Sequence, residues 1–327
     1  MATTSRRTFL AATGAAAASA ALGVPARAQT LRKLKVGKAV TTSFPFAGLE
    51  IGQESGIWKA NGLDIEIAAF RGDGQMQQAL TAGSIDFGFG SGPGMGYAAK
   101  GVPAHAVASI ADRPQNMALI VGNNSNIKSA ADLKGKRIGV TTAGSLTDWL
   151  ARAIAKKQGW KQEDIEVVPM GEIRTRLPAM QSGEIPANVT ATESAFELQQ
   201  QGLGKVLLTF GEIVDHFHTH VVFALDKHIN GDPELVKQFL QAWFQIAKYI
   251  KENRKETVRI VAKVMSVSEP IVEQAYDIEL SMMSFDGKFD PQAIEVIRNS
   301  LKELDILDFI PKASDMYVDK FVPVVVK

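Results

Sequence analysis

Ala79-Leu80-Thr81-Ala82-Gly83-Ser84-Ile85-Asp86-Phe87 recurs in outline further along the chain as Ala179-Met180-Gln181-Ser182-Gly183-Glu184-Ile185-Pro186-Ala187. Each copy reads as the end of a helix, a glycine where the backbone turns left-handed, and then an apolar strand. A helix running into a strand is half of a βαβ unit. The repetition therefore predicts two α/β lobes of similar plan.

Working outward, residues 33–39 (KLKVGKA), 63–69 (LDIEIAA) and 85–89 read as buried strands separated by helical stretches. The alternation resumes with strands over 117–121, 137–140, 165–168, 187–189 and 206–208. No long linker parts the two series, so short connections between them act as a hinge. After Asp226 the pattern changes. Asp232-Pro233 opens a long amphipathic helix carrying Leu235, Phe239, Trp243, Ile246 and Ile250 at helical spacing, and helices follow over 256–264, 269–279 and 291–304. Phe239, Trp243, Met265 and Met282 read as core rather than as a partner groove.

Residues 1–28 read as a twin-arginine export signal. Ser5-Arg6-Arg7-Thr8-Phe9-Leu10 carries the arginine pair, an alanine-rich apolar stretch follows, and Ala26-Arg27-Ala28 is a small-x-small cleavage site. The apolar stretch falls short of the roughly 20 residues a bilayer span needs. Cleavage before Gln29 takes the formal charge from +1 to about −2 by removing three arginines, a balance that suits neither nucleic acid nor a polybasic membrane anchor. With no cysteine, the chain has neither a disulfide nor a lipid-modified N-terminus. A freely soluble periplasmic protein without a membrane anchor is the expectation.

Catalytic signatures are sparse. The glycine run from Gly88 to Gly96 lacks the Gly-Lys-Ser/Thr of a phosphate loop, and Phe89 and Pro93 stand where a hydrolase elbow around Ser91 needs glycines. His216, His218 and His220 alternate, so a strand would put three imidazoles on one face; zinc, a solvated strand edge and a pH-sensitive ligand contact are the three readings. Origins 6.5 to 7 Å apart along a strand, about two rises, converge poorly on one ion, so no metal site is expected and His218 is the imidazole expected to face a ligand. No carboxylate pair stands out as an acid/base couple.

Five segments in order, Gly48 with 54–63 (ESGIWKANGL), 74–87 (GQMQQALTAGSIDF), 132–140 (DLKGKRIGV), 183–187 and 232–249, resemble the solute-binding proteins of ABC importers, in the branch of sulfonate, taurine, nitrate and thiamine-precursor binders. The resemblance implies an α/β fold of the periplasmic-binding-protein type II: two Rossmann-like lobes, a two-segment hinge and ligand in the cleft. It divides the chain into the signal (1–28), a first lobe (29–112 plus 222–327) and a second lobe (113–221). It implies a non-catalytic, cofactor-free monomer that takes a small-molecule solute and hands it to an ABC permease and its ATPase. A sulfonate or related organic anion leads; a thiamine-type pyrimidine precursor, or a sensing partner without transport, is the alternative. Pro186 departs from the family's Gly-x-x-Asp-Ala.

Ligands of open α/β sheets gather at strand ends and helix N-termini. That places Thr42, Ser43, Phe44, Gly74, Gln75, Ser91 and Gly92 on one side of a cleft and Thr142, Ser145, Leu146 and Thr147 on the other. Ser145-x-x-Asp148 is also a capping box, so Ser145 has a structural use as well. Asp112 and Glu193 are candidate carboxylates, Arg113, Arg174 and Arg176 candidate cations, and each reads as a surface charge before a ligand contact. Replacing Arg6 and Arg7 together by lysine is expected to stop export by the twin-arginine route while leaving the fold intact; fractionation of cells expressing the double variant checks this.

Overall fold

The computed structural model describes residues 30–326, and the export signal read over 1–28 lies outside them. β1 (Arg32–Lys38) leads through α1 (Gly48–Glu54) and α2 (Ile57–Ala60) to β2 (Leu63–Ala69), and α3 (Asp73–Thr81) leads on to β3 (Phe87–Ser91). After α4 (Gly96–Ala99) and β4 (Ala104–Ala111), residues 112–116 cross to β5 (Met117–Gly122) and β6 (Arg137–Val140). The second series continues with α5 (Leu146–Lys157), β7 (Glu166–Pro169), α6 (Ile173–Gln181), β8 (Ala187–Ala191), α7 (Thr192–Gln200) and β9 (Gly204–Thr209). The chain returns as β10 (His220–Leu225) and ends in helices α8 (Asp226–Gly231), α9 (Pro233–Glu252), α10 (Arg254–Met265), α11 (Glu269–Met282) and α12 (Pro291–Glu303).

Two five-stranded sheets result, ordered β2-β1-β3-β10-β4 and β7-β6-β8-β5-β9. In each, the first three strands are parallel and one strand, β10 or β5, runs antiparallel to both neighbours. That odd strand is the one a crossing segment delivers. The parallel strands end at the seam between the sheets, so a strand entering from the seam must run the other way. This is the two-lobed, doubly connected plan expected from the resemblance.

The repeated nonapeptides occupy equivalent places. Each links a helix (α3, α6) to the third strand of its sheet (β3, β8), and Gly83 and Gly183 have φ of 64° and 78°. At those angles a Cβ would crowd the backbone. β4 and β10 have no counterpart among the strands read from sequence. Their residues, AHAVASIA and HVVFAL, are buried almost throughout, which marks strands covered on both faces rather than alternating ones.

The long helix α9 starts where predicted: the Asp232 carboxylate accepts from Leu235 N at 3.2 Å and Pro233 takes the first helical position. Its apolar face closes the first sheet. Phe239 stacks on Phe87 with ring centroids 4.0 Å apart, and Trp243 meets Phe89 edge-on at 4.6 Å. α1 approaches closely because a Cβ on Gly48 would stand 2.6 Å from the Trp243 ring, and one on Gly52 2.3 Å from Ile246 Cδ1. Phe239→Ala is expected to cost about 3 to 5 kcal/mol, read from the denaturant midpoint, whereas Phe309→Ser, 42% exposed, should stay within about 0.5 kcal/mol of the parent.

Candidate functional site

The C-terminal ends of β1 (Val40), β3 (Ser91), β6 (Thr141) and β8 (Ala191) share one cavity of about 60 Å³ at the seam. Asp73 on α3, Thr147 on α5 and Arg176 on α6 add charged and hydroxyl groups to its wall, and Asn116 and His220 close it from the crossing strands. Hydrogen bonds hold the two sides together. Thr41 N donates to Glu172 Oε1 at 2.6 Å, Gly74 N to Thr142 Oγ1 at 3.1 Å, and the Tyr97 hydroxyl to the Ala143 carbonyl at 2.6 Å. A water occupies about 30 Å³ of liquid, so the closed cleft holds a small head group, and a larger guest requires the lobes to move apart.

Of the residues picked from sequence, Thr42, Ser43, Ser91, Leu146 and Thr147 line this cavity. Gly74 and Thr142 bond each other across the seam instead. Ser145 caps its own helix, accepting from Asp148 N at 3.4 Å and from Thr141 Oγ1 at 2.9 Å. Phe44 is buried edge-on against Tyr276, and Phe46 takes the lining position. Gln75 is exposed, its Oε1 accepting from Arg71 N at 3.2 Å. Gly92 N donates to the His218 carbonyl at 3.1 Å, and a Cβ there would lie 2.1 Å from that oxygen. Asp112 is exposed, 3.4 Å from His218 Nδ1. Glu193 is buried against Glu279 on α11.

The histidines correct the single-face reading. His216 has φ of 43°, which breaks the strand before β10 begins, and its Nδ1 lies 3.0 Å from Asp290 at the surface. His218 is packed away from the cavity: its Nε2 accepts from Asp290 N at 2.9 Å, so the ring proton sits on Nδ1, 2.9 Å from Ser109 Oγ. His220, not His218, faces the cavity, with Nε2 3.2 Å from Ser43 Oγ. Burial pushes its pKa down to about 3, so it is neutral at any physiological pH and cannot make affinity rise as pH falls through about 6.5. Among the described residues no three His, Asp or Glu side chains are placed to hold a metal.

Sequence reasoning weighed Arg176 as a surface charge; it is 1% exposed on the cavity wall. Nη1 donates to the carbonyls of Gly139 (2.6 Å) and Val189 (3.0 Å), Nε has no acceptor, and no carboxylate lies within salt-bridge reach among the described residues. Burial lowers its pKa, opposed by Glu172. An arginine nonetheless keeps its proton at working pH. The signal was present in the stripe Ile173, Arg176, Leu177, Met180, which sets Arg176 on the apolar face of α6.

Asp73 changes the expectation for the α5 N-terminus. Its carboxylate accepts from Ser91 N at 2.9 Å and from Ser91 Oγ at 3.0 Å, and it shares the cavity wall with Leu146, the first residue of α5 on the opposite lobe. Burial outweighs these donors and raises its pKa. The helix end that looked free for a guest anion thus shares the cavity with the protein's own carboxylate, whose charged form the Leu146 N–H favours. A larger groove of about 600 Å³ between α5 and α12 is rimmed by charges that answer one another, Lys156 with Glu303 among them.

The comparisons agree with the fold. A candidate binding protein of Brucella abortus (strain 2308) is 30% identical over 226 residues, 68% of this chain and 69% of that one. The alkanesulfonate-binding protein SsuA of Xanthomonas axonopodis pv. citri, solved bound to MOPS, superposes with a TM-score of 0.74 at 18% identity, over 89% of this chain and 96% of that one. A 4-amino-5-hydroxymethyl-2-methylpyrimidine phosphate synthase of Saccharomyces cerevisiae is 24% identical over 211 residues, 61% of this chain and 62% of that one. Residues 43–257 match the family described as NMT1/THI5 like, and the chain belongs to that family.

Proposed function

We propose that the chain is a periplasmic solute receptor that closes over a small organic anion, foremost a sulfonate, and delivers it to an ABC permease and its ATPase without chemical turnover. The observation that carries the reading is Arg176. A guanidinium sealed in the cleft, with an unpartnered Nε and no carboxylate in reach, is completed by a guest that brings negative charge. The sulfonate-binding name of a structural neighbour points the same way. Asp73 and Glu172 on the same wall favour a second reading, a cationic or donor-rich heteroaromatic guest such as a pyrimidine.

Calorimetric titration with ethanesulfonate tests the choice. Arg176→Met should weaken binding by about ten- to a hundredfold, the worth of a charge-assisted hydrogen bond at about 1.5 to 3 kcal/mol. Thermal stability should hold or rise, because methionine removes a buried charge that lacks a partner. Equal ethanesulfonate affinity in parent and variant overturns the anion reading, and tighter binding of an aminopyrimidine than of ethanesulfonate favours the second.

Thr142→Ala separates closure from recognition. The lost bond to Gly74 N lies across the seam, so the variant should lose about 0.5 to 1.5 kcal/mol of affinity for guests of any charge. A loss confined to anions, measured by the same titration, would instead mean direct contact with the guest.

A further inference from the structure

On the α7–α11 side of the seam, two carboxyl groups meet with too few donors. Glu193 stands in the first turn of α7, on the second lobe; Glu279 stands in the last turn of α11, in the C-terminal helices that pack against the first lobe through α10. Both are 0% exposed. Glu193 Oε2 accepts from Thr192 Oγ1 at 3.5 Å and Glu279 Oε2 from Asn116 Nδ2 at 3.2 Å. Oε1 of each finds no donor, and among the described residues no lysine, arginine or histidine forms an ion pair with either. Two ionised carboxylates cannot share such a site without a large cost from desolvation and repulsion, and one proton between them removes the repulsion and supplies a donor.

We propose that Glu193 and Glu279 form a proton-binding clasp between the lobes, so that closing the cleft takes up one proton whatever solute is bound. Burial first, then the negative charge of its partner, raises the Glu279 carboxyl well above the ordinary value of 4.5, and burial raises Glu193. The groups acting on the pair are Thr192, Asn116 and each other. The charges on the surrounding elements are engaged elsewhere: Arg254 of α10 with Glu273 and Asp277 on the exposed face of α11, and Arg174 of α6 with Glu197 of α7. Asp112 and Arg113 on the crossing segment are exposed.

Both pKa values rise on closure, so the clasp contributes fully below the open-state value and is lost as pH rises through the closed-state value. In between, open lobes release a proton that closed lobes keep, and the closing constant falls by up to about tenfold per pH unit.

Small-angle scattering of the mature protein without added solute, from about pH 5 to pH 9, tests this independently of the solute's identity. The parent should expand as pH rises. Glu279→Gln and Glu193→Gln should expand less, because an amide donates without a proton; the buried aspartates Asp73 and Asp148 are common to all three. Infrared spectra of the parent with isotope-labelled glutamate, which set Asp73 aside, should show a protonated carboxyl at neutral pH, so the test stands even if the variants fold poorly. The same pH response in parent and variants, no response in the parent, or no protonated glutamate at neutral pH each overturns the proposal.

Discussion

A guanidinium sealed from water governs the second lobe. Removing such a charge from solvent costs several kcal/mol even after relaxation, so every group around Arg176 is arranged to recover part of that loss. Two carbonyls from neighbouring strands, Gly139 on β6 and Val189 on β8, accept from Nη1 and tie α6 across both strands. Position 139 has to be glycine for this: a Cβ there would lie 2.1 Å from Asn188 Oδ1 and 3.1 Å from Arg176 Cδ. Carbonyl dipoles do not neutralise a charge. What they leave uncompensated faces the cleft.

The facing lobe answers with Asp73, held by Ser91 and set on the cavity wall beside the first residue of α5. The α5 helix end and the arginine are both sources of positive potential, and Asp73 stands on the same cavity wall as both. A guest anion placed at the α5 end meets the carboxylate of Asp73 nearby, whereas one placed at Arg176 completes a group that has no ion pair among the described residues. The same physics that makes helix ends attractive to anions therefore argues, in this chain, for recognition on α6 and closure on α5.

The lobed plan was legible because its markers are local. A left-handed glycine between helix and strand, a Pro after an N-capping Asp and an apolar stripe at helical spacing each depend on a few consecutive residues. β4 and β10 were not, since alanine is a poor strand former and the chain of β10 begins among histidines; both become strands because each lies against the other, and only tertiary pairing says so. The histidine triplet misled for a related reason: alternation implies one face only where the backbone stays extended, and His216 does not. Arg176 was visible as a cation out of place in an apolar stripe, but its meaning depends on which carbonyls and carboxylates stand nearby, which sequence order does not reveal.

The bonds that cross the seam are individually weak, and this matters for how the molecule works. Those at Thr41, Gly74 and Tyr97 lie near the cavity, while Trp149 Nε1 to Ser300 Oγ at 2.7 Å, Arg152 to the Leu304 carbonyl at 3.1 Å and Arg174 to the Ser266 carbonyl at 3.1 Å tie α5 and α6 to the C-terminal helices; each is worth about 1 kcal/mol net and favours closure. Against them stand the desolvation of Asp73 and Arg176 and the meeting of Glu193 with Glu279, terms of opposite sign. A closed state built from opposing terms is one that a guest can tip. A ligand shifts an equilibrium only by its difference in affinity for the two states, and a guest that supplies the missing counter-charge to Arg176 while touching both lobes has that difference built in.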